Sequence, residues 1–281
     1  MPTRVLVVGE SDSSGAAGIQ ADMKTVMALG GYAMTAVSAV WACDTRNIIT
    51  TQSIAPADVA AQMVAAIKDI TVEAIKLGFL ENEAMINAVG DVLDTYRESH
   101  IPVVVDPSIT SRGGHVLVDN AAISAWKRRL YVHAKILTPN LKEAELLGGM
   151  PIETIDDIRH EADMMRTLGV ENVVLKGGQV EPGKELYFVA THNEERIYER
   201  PSLQTRHTLG AGNTLASALA LNAAKHMDIF QSVENALDFL HQAMLHSPGF
   251  GRREGPVNHA FDILRHPSSF HPETIKLRKI N

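Results

Sequence analysis

Short runs of apolar residues recur along the chain, and most of them end at glycine or at polar residues. Runs bounded in this way are typical of buried parallel strands, which are covered on both faces. We predict such strands at residues 5–8, 32–41, 74–80, 101–106, 134–138 and 172–178, and a hairpin at residues 186–189 and 195–200. Apolar positions at helical spacing predict helices at residues 19–29, 56–70, 82–96, 158–168 and 230–246.

The alternation of predicted strands and helices indicates an α/β protein with a central, mostly parallel sheet covered by helices on both faces. A chain of 281 residues, 45% of them hydrophobic, can bury the core of one such domain. We therefore expect a single domain over residues 1–266 and a C-terminal tail over residues 267–281.

Charge and cysteine content argue against several classes of protein. The formal net charge is −7 and the basic residues form no extended cluster, so we expect no nucleic-acid partner. Cys43 is the sole cysteine, which excludes an internal disulfide and a multi-cysteine metal site. The apolar run at residues 5–8 is too short for a signal peptide or a membrane span, and we expect a cytoplasmic protein without a membrane partner.

A glycine-rich stretch begins a helix that the pattern predicts up to about residue 224. Gly210, Ala211 and Gly212 form a small-residue loop, followed by Asn213 and an alanine-rich run. Such a loop at a helix N-terminus directs free backbone N–H groups, and the positive end of the helix dipole, at one point. This arrangement suits a phosphate or the charge that develops during phosphoryl transfer. The alternative is an ordinary glycine turn before a helix.

Polar residues also stand at the ends of predicted strands, where ligands of open α/β sheets usually bind. Asp106 is placed for a ligand or Mg²⁺, and the alternative is a turn or capping aspartate. Asn140 and Glu143, three residues apart, can face one site, form a capping box, or do both. Lys176, beside two glycines, suits a phosphate chain, and the alternative is a solvated strand-end lysine.

Five motifs occur in one order along the chain: DSSGAAGIQADMKT at 12–25, VDP at 105–107, TPNLKE at 138–143, LKGG at 175–178 and GAGNT at 210–214. Together they resemble the ribokinase-like superfamily, and most closely the hydroxymethylpyrimidine and phosphomethylpyrimidine kinases of thiamine biosynthesis with their pyridoxal kinase relatives. The resemblance covers about residues 4–260. It implies a ribokinase-like fold, a homo-oligomer with a dimer favoured, and ATP-dependent phosphorylation of a hydroxymethyl group on a small heteroaromatic ring, such as hydroxymethylpyrimidine or its phosphate.

The resemblance also implies a role for each motif. Mg²⁺ and phosphate would be held by Asn140 and Glu143, with Asp106 also available to the metal. The residues expected along ATP are Asp106, Asn140, Lys176 and Thr208. The anion hole would consist of Gly210, Ala211 and Gly212, followed by Asn213 at the catalytic position. The acceptor would lie near Glu10, Asp12, Asp22, Cys43, Asp44 and Phe79.

Several positions depart from the usual family pattern. Asn213 stands where the superfamily typically has Asp, and many pyrimidine kinases Cys, as the base that takes the proton of the attacking hydroxyl. A carboxamide cannot take that proton at physiological pH. The other departures surround the expected ring site, where Gly is replaced by Glu10, Gln-Asn by Cys43-Asp44, His by Leu209 and Met by Phe79.

Two hypotheses of different classes follow. The first is a kinase, in which phosphoryl transfer depends mostly on positioning and charge and in which Glu10 or Asp44 supplies a carboxylate to the acceptor or accepts the proton. The second is a protein that binds nucleotide, or a B-vitamin ring, without efficient turnover. The intact phosphate-side motifs and the retained Asp22 favour the kinase.

Overall fold

The computed structural model describes residues 1–111, 114–177 and 183–262. Within these residues the strands are β1 (Arg4–Asp12), β2 (Tyr32–Cys43), β3 (Ile48–Ser53), β4 (Ala74–Leu77), β5 (Val103–Val105), β6 (Ala134–Leu137), β7 (Asn172–Lys176), β8 (Lys184–Ala190) and β9 (Glu195–Pro201). The α-helices are α1 (Gly18–Ala28), α2 (Pro56–Asp69), α3 (Glu83–Thr95), α4 (Asn120–Ala125), α5 (Leu141–Gly148), α6 (Ile155–Thr167), α7 (Ala211–Ala224) and α8 (Ile229–Leu245). The tail expected at residues 267–281, and Gly178 of the LKGG motif, lie outside the described residues.

These strands form one sheet in the order β3-β2-β1-β4-β5-β6-β7-β8-β9. The neighbours from β2 to β7 are parallel, whereas β3, β8 and β9 pair antiparallel. The chain runs outward from β1 to β2 and β3 and then returns to the other side of β1 as β4. Open α/β sheets bind their ligands where the strand order changes direction in this way, which here is beyond the C-terminal ends of β1 and β4. The prediction of an α/β fold with a mostly parallel sheet is confirmed.

Alternate side chains along the strands enter two separate apolar cores. On one face, Leu6 and Val8 pack with buried residues of α2, α3, α5 and α6. On the other face, Val5 and Val7 pack with α1, α7 and α8. Every residue of α7 after Gly212 is buried, because its sequence is apolar on nearly all sides. Among the described helices, none has the length and apolar character needed to cross a membrane.

Two segments with regular structure are absent from the sequence-based prediction. Strand β3 (IITTQS) is exposed almost throughout and shows no apolar alternation, and it adds to the sheet as an edge strand beside β2. Residues 120–133 form α4, a π-helical turn (Trp126–Leu130) and a 3₁₀ turn (Tyr131–His133). In that segment Trp126 and Tyr131 are fully buried, but the intervening basic residues hide the helical period.

Strand β1 also extends further than its apolar run predicts. A β-bulge between Gly9 and Glu10 shifts the register with β2, and the pairing then continues to Asp12. Glu10 and Asp12 are therefore strand residues, although the predicted strand ends at residue 8. Both stand at the carboxyl end of β1.

Candidate functional site

The start of α7 requires glycine at position 210. The backbone φ of Gly210 is 85°, a left-handed conformation that disfavours residues with a side chain. A Cβ at this position would lie 2.0 Å from the carbonyl oxygen of Ala16, in the loop before α1. The start of α7 is therefore packed tightly against the start of α1. Both lie where the parallel strands reach their C-terminal ends, and we refer to this end of the sheet as the edge.

The first backbone N–H groups of α7 have different partners. The Ala211 N–H donates to the carbonyl oxygen of Thr208 over 3.0 Å, and the Thr214 N–H makes the first bond of the helical ladder. The N–H groups of Gly212 and Asn213 precede that ladder and have no acceptor within the helix. Two N–H groups and the helix dipole thus remain available to an anion, whereas the Ala211 N–H is already engaged.

Lys176 lies beside this helix start. Its Nζ is 3.2 Å from the place that a Cβ on Gly212 would occupy, and 2.6 Å from Oδ1 of Asp106, which follows β5. Thr138 Oγ1 donates to the same carboxylate oxygen over 3.3 Å. Burial alone would raise the pKa of Asp106, but the ammonium groups of Lys176 and Lys76 outweigh it and lower that pKa. The edge therefore holds an ionised carboxylate and a cation next to the start of α7.

Asn140 and Glu143 form the capping box that begins α5. The Asn140 side chain accepts from the Glu143 N–H over 2.9 Å, and the Glu143 carboxylate accepts from the Asn140 N–H over 3.0 Å. The other carboxylate oxygen accepts from Thr110 Oγ1 over 3.2 Å. Burial raises the pKa of Glu143, and Lys176 opposes that rise. The capping alternative is thus observed, and each carboxylate oxygen still has a lone pair that a metal ion can use.

The carboxylates at this edge fit a magnesium ion that arrives with a nucleotide. Among the described residues, no three His, Cys, Asp or Glu side chains converge as a metal site. Mg²⁺ bound to ATP needs only one or two protein carboxylates, because phosphate oxygens and water supply its other ligands. Asp106 and Glu143, both nearly inaccessible to solvent, offer hard oxygen donors of that kind.

A buried ion pair joins four elements directly beneath the edge. Lys76 of β4 has its Nζ 3.0 Å from Asp22 Oδ2 on α1 and 3.8 Å from Asp106 Oδ2. Ser217 of α7 donates to the other oxygen of Asp22 over 2.7 Å. Burial alone would lower the pKa of Lys76, but the surrounding carboxylates outweigh it and raise that pKa, so the lysine stays charged. Sequence analysis misses Lys76, although a lysine inside an otherwise apolar strand is a visible signal.

Glu10 adds another carboxyl group to the same edge. It packs against the first residue of α1, where a Cβ on Gly18 would lie 3.1 Å from Glu10 Oε1 and 2.4 Å from its carbonyl oxygen. Within the described part of the chain, Glu10 Oε2 and Asn213 Nδ2 are both buried without a hydrogen-bond partner. Burial raises the pKa of Glu10 to about 7, against the opposing charge of Lys76. This carboxyl group can therefore exchange a proton near neutral pH.

Two further residues predicted for the acceptor side are buried. The ring of Phe79 meets that of Trp41 edge-on, with centroids 4.8 Å apart, and forms an apolar wall after β4. Asp12 accepts hydrogen bonds from the N–H groups of Ser14 and Ala17, over 2.8 and 2.9 Å. The Asp12 carboxylate therefore orders the loop that leads into α1.

Cys43 and Asp44 stand nearer the surface. The backbone N–H and carbonyl of Cys43 pair with Ser13 Oγ, over 2.9 and 3.2 Å, and so tie the end of β2 to the loop before α1. Asp44 accepts from the N–H groups of Arg46 and Asn47, which hold its pKa below the ordinary value. The Asp44 carboxylate is thus engaged in the turn between β2 and β3, whereas Glu10 and Asp22 lie inside the edge.

Comparison with known proteins relates this chain to kinases. A family model described as phosphomethylpyrimidine kinase matches residues 12–258. The chain is 35% identical over 262 residues to the hydroxymethylpyrimidine/phosphomethylpyrimidine kinase of Synechococcus elongatus, covering 92% of this chain and 98% of that protein. It is 37% identical over 255 residues to the thiamine biosynthesis bifunctional protein ThiED of Geobacter sulfurreducens, covering 91% of this chain but only 52% of that protein.

A solved structure agrees with the fold as well. The Bacillus subtilis pyridoxal kinase in complex with ADP is similar with a TM-score of 0.84 at 30% identity, over 94% of this chain and 99% of that chain. The ribokinase-like fold and the kinase relatives expected from the motifs are both confirmed. On the match to the family model and the extent of the shared sequence, this chain belongs to the phosphomethylpyrimidine kinase family.

Proposed function

We propose that this protein transfers the γ-phosphoryl group of ATP to the hydroxymethyl oxygen of hydroxymethylpyrimidine or its phosphate, a reaction of thiamine biosynthesis. The family match and the names of the relatives support this proposal. The observation that carries it is the position of the Lys176 ammonium group at the N-terminal end of α7, because a cation and free N–H groups together suit a phosphate chain.

Four side chains would share the binding of Mg²⁺ and the phosphates of ATP. Asp106 and Glu143 would hold Mg²⁺, which neutralises charge on the phosphates when bound. The Lys176 ammonium group would then give up part of its contact with Asp106 and bind the phosphate chain. Asn140 keeps Glu143 oriented through the capping box, and Thr208 would lie next to the nucleotide.

During transfer, the acceptor oxygen forms a bond to the γ-phosphorus while the bond from that phosphorus to the leaving oxygen of ADP breaks. The N–H groups of Gly212 and Asn213, with Lys176, would meet the negative charge on the transferred group. The Asn213 carboxamide can donate its unpartnered Nδ2–H but cannot take the hydroxyl proton. Because the transition state is loose, most of the barrier reduction comes from positioning and charge.

Glu10 is the residue that we assign to the hydroxyl proton. It combines a buried, unpartnered carboxylate oxygen with a pKa of about 7, which suits a general base at neutral pH. Asp44, the other carboxylate considered for this task, is engaged in a surface turn. The ring would rest against the wall of Phe79, with Asp22 and Cys43 on the same side.

The second candidate function is binding of a nucleotide or a B-vitamin ring without efficient turnover. Asn213 at the position of the usual base favours it.

We also propose that the protein acts in the cytoplasm, where ATP is supplied. We further propose that it is a homodimer, an oligomeric state that light scattering measures directly.

A turnover assay with MgATP tests the proposal. Hydroxymethylpyrimidine, its phosphate and pyridoxal are offered as acceptors, and ADP release is followed with phosphorylated product. Product from either pyrimidine supports the proposal. Product from pyridoxal alone would mean that the acceptor is pyridoxal and not a pyrimidine. No product from any of them, together with measurable binding of ADP or of the pyrimidine, would establish the second candidate instead.

Two substitutions then test the proton acceptor. Asn213→Asp places a carboxylate at the usual position, and we expect kcat to rise about tenfold or more. Glu10→Gln removes the assigned base, and we expect kcat to fall about a hundredfold. The double variant should recover the activity of Asn213→Asp. Unchanged kcat in a folded Glu10→Gln variant would remove Glu10 from this role.

A further inference from the structure

The segment that follows α8 returns to the start of α7, and we refer to residues 247–262 as the return segment. Its backbone pairs with Leu209, whose N–H donates to the carbonyl oxygen of Gly255 over 3.0 Å. The Val257 N–H in turn donates to the carbonyl oxygen of Leu209 over 3.2 Å. The N–H and the carbonyl of the residue just before Gly210 are therefore both hydrogen-bonded to the return segment.

A buried histidine of the return segment reaches into α7. His259 is 7% exposed, and its Nε2 lies 2.8 Å from the side-chain oxygen of Thr214. The same Thr214 oxygen lies 2.8 Å from the carbonyl oxygen of Gly210. A chain of two hydrogen bonds thus runs from the imidazole through the hydroxyl to the first peptide group of the anion-binding loop.

The direction of these bonds follows from the groups involved. A carbonyl oxygen can only accept, so the single hydroxyl proton of Thr214 is directed at Gly210. The Thr214 oxygen is then left as an acceptor, and His259 must donate to it from Nε2–H. Burial, with a smaller effect of Lys24, lowers the pKa of His259 to about 4. The imidazole is accordingly neutral, with its proton on Nε2, throughout the physiological range.

We propose that His259 is a positioning residue for phosphoryl transfer, which acts through Thr214 to fix the Gly210 peptide and thereby the N–H groups of Gly212 and Asn213. This inference rests on the proposed function of that loop. Glycine at position 210 allows its Cα to lie close to the carbonyl oxygen of Ala16, and the Gly210 carbonyl accepts hydrogen bonds from both the N–H and the hydroxyl of Thr214, each over 2.8 Å. A misplacement of about 1 Å at a reacting group can cost about a hundredfold in rate.

The proposal is tested on the full chain with variants that keep or remove the N–H donor. His259→Gln keeps an N–H donor near the position of Nε2, whereas His259→Leu fills similar space without one. We expect His259→Leu to lower kcat about ten- to hundredfold, with the acceptor KM within about twofold of the wild type. His259→Gln should recover most of that loss. Equal losses in the two variants, or an unchanged kcat in His259→Leu, would overturn the proposal.

A double-mutant cycle with Thr214 separates positioning from packing. Thr214→Val removes the hydroxyl but keeps the shape, and Thr214→Ser keeps the hydroxyl. We expect Thr214→Val to match His259→Leu, the double variant to be no slower than either, and Thr214→Ser to stay close to the wild type. Additive losses would mean that His259 acts independently of Thr214. Thermal unfolding of each variant identifies any that fail to fold, and the conservative variants still decide the question.

Two readouts distinguish failure of this inference from failure of the proposed function. If the wild type turns over no acceptor, the proposed function fails. The effect of His259 on the anion-binding loop is then measured as MgADP affinity, which His259→Leu should weaken and His259→Gln should preserve. The ¹⁵N shifts of the imidazole require no turnover. We expect the neutral Nε2–H form from pH 5.5 to pH 8, given a pKa of about 4. A neutral imidazole with its proton on Nδ1 at pH 6.5 could not donate to Thr214 and would overturn the inference.

Discussion

Glu10 is buried at the carboxyl end of β1, and its burial makes stability depend on pH. Its pKa is raised from 4.5 to about 7 in the folded protein. Between these values the folded state holds a proton that the unfolded chain has released. The folded state is therefore favoured at low pH, and the free energy of unfolding decreases as pH rises through this window.

Glu10→Gln removes this dependence, because the amide is neutral at every pH while its size is nearly the same. We expect the wild type to lose about 3 kcal/mol relative to Glu10→Gln between pH 4.5 and pH 8. Denaturant unfolding of both proteins across this range measures the difference. The exposed Glu98 provides a control, since Glu98→Gln should differ from the wild type by less than about 0.5 kcal/mol throughout. A gap between wild type and Glu10→Gln that does not change with pH would contradict the assignment.

At the level of elements, the buried pair of Lys76 and Asp22 connects α1 and β4, and Ser217 extends it to α7. An ion pair of this kind is costly to break from one side, because the remaining charge stays buried without a partner. Gly78 is part of the same arrangement, since a Cβ there would lie 2.9 Å from the Lys76 ammonium. The network therefore holds in place the two helices whose first residues line the edge.

Lys76→Met should reduce the free energy of unfolding by about 3–5 kcal/mol, because it leaves the buried Asp22 without a cation, whereas Asp106 keeps Lys176. Adding Asp22→Asn removes the stranded charge and keeps an acceptor for Ser217, so the double variant should be more stable than Lys76→Met alone. Urea titrations of the wild type, both single variants and the double variant measure these effects. Lys142→Met, at an exposed pair with Glu145, is the control and should change stability by less than about 1 kcal/mol. A double variant as unstable as the sum of the single changes would contradict the pairing.

The elements most visible in the sequence were those whose pattern is local. The parallel strands and helices are predicted because apolar spacing reports burial directly, whereas the exposed β3 carries no such spacing. Asp106, Asn140, Glu143 and Lys176 stand out because each lies at the end of a strand or shortly after it, where ligands of this architecture bind.

The internal support of the site could not be predicted in the same way. Asp22 and Ser217 are 195 positions apart, and Thr214 and His259 are 45 positions apart. No local pattern relates residues at such separations, so the pairing appears only once the sheet and its helices are assembled. The role of Lys76 was accessible in part, as a charged residue within an apolar run.

At the scale of the whole molecule, the candidate site is formed by parts of the chain that lie far apart in sequence. The ends of β1, β5 and β7 meet the starts of α1, α5 and α7 there. The unfolded chain cannot offer this arrangement, and a nucleotide bound at the edge therefore binds the folded state alone. Binding of that kind adds to the free energy of unfolding in proportion to the logarithm of the ligand excess.

MgADP at a hundredfold excess over its Kd should stabilise the protein by about 2.7 kcal/mol. For a domain of this size that corresponds to an increase of about 5–10 °C in the unfolding midpoint. Lys176→Met should lose most of this increase, because the cation at the start of α7 is gone, whatever its effect on the midpoint without ligand. Lys68→Met is the matched control, since Lys68 is exposed near the C-terminal end of α2, before β4 begins and so at the opposite edge of the sheet. Differential scanning calorimetry of the three proteins with and without MgADP measures the rise in the unfolding midpoint. A rise in Lys176→Met as large as that of the wild type would mean that the phosphates bind elsewhere.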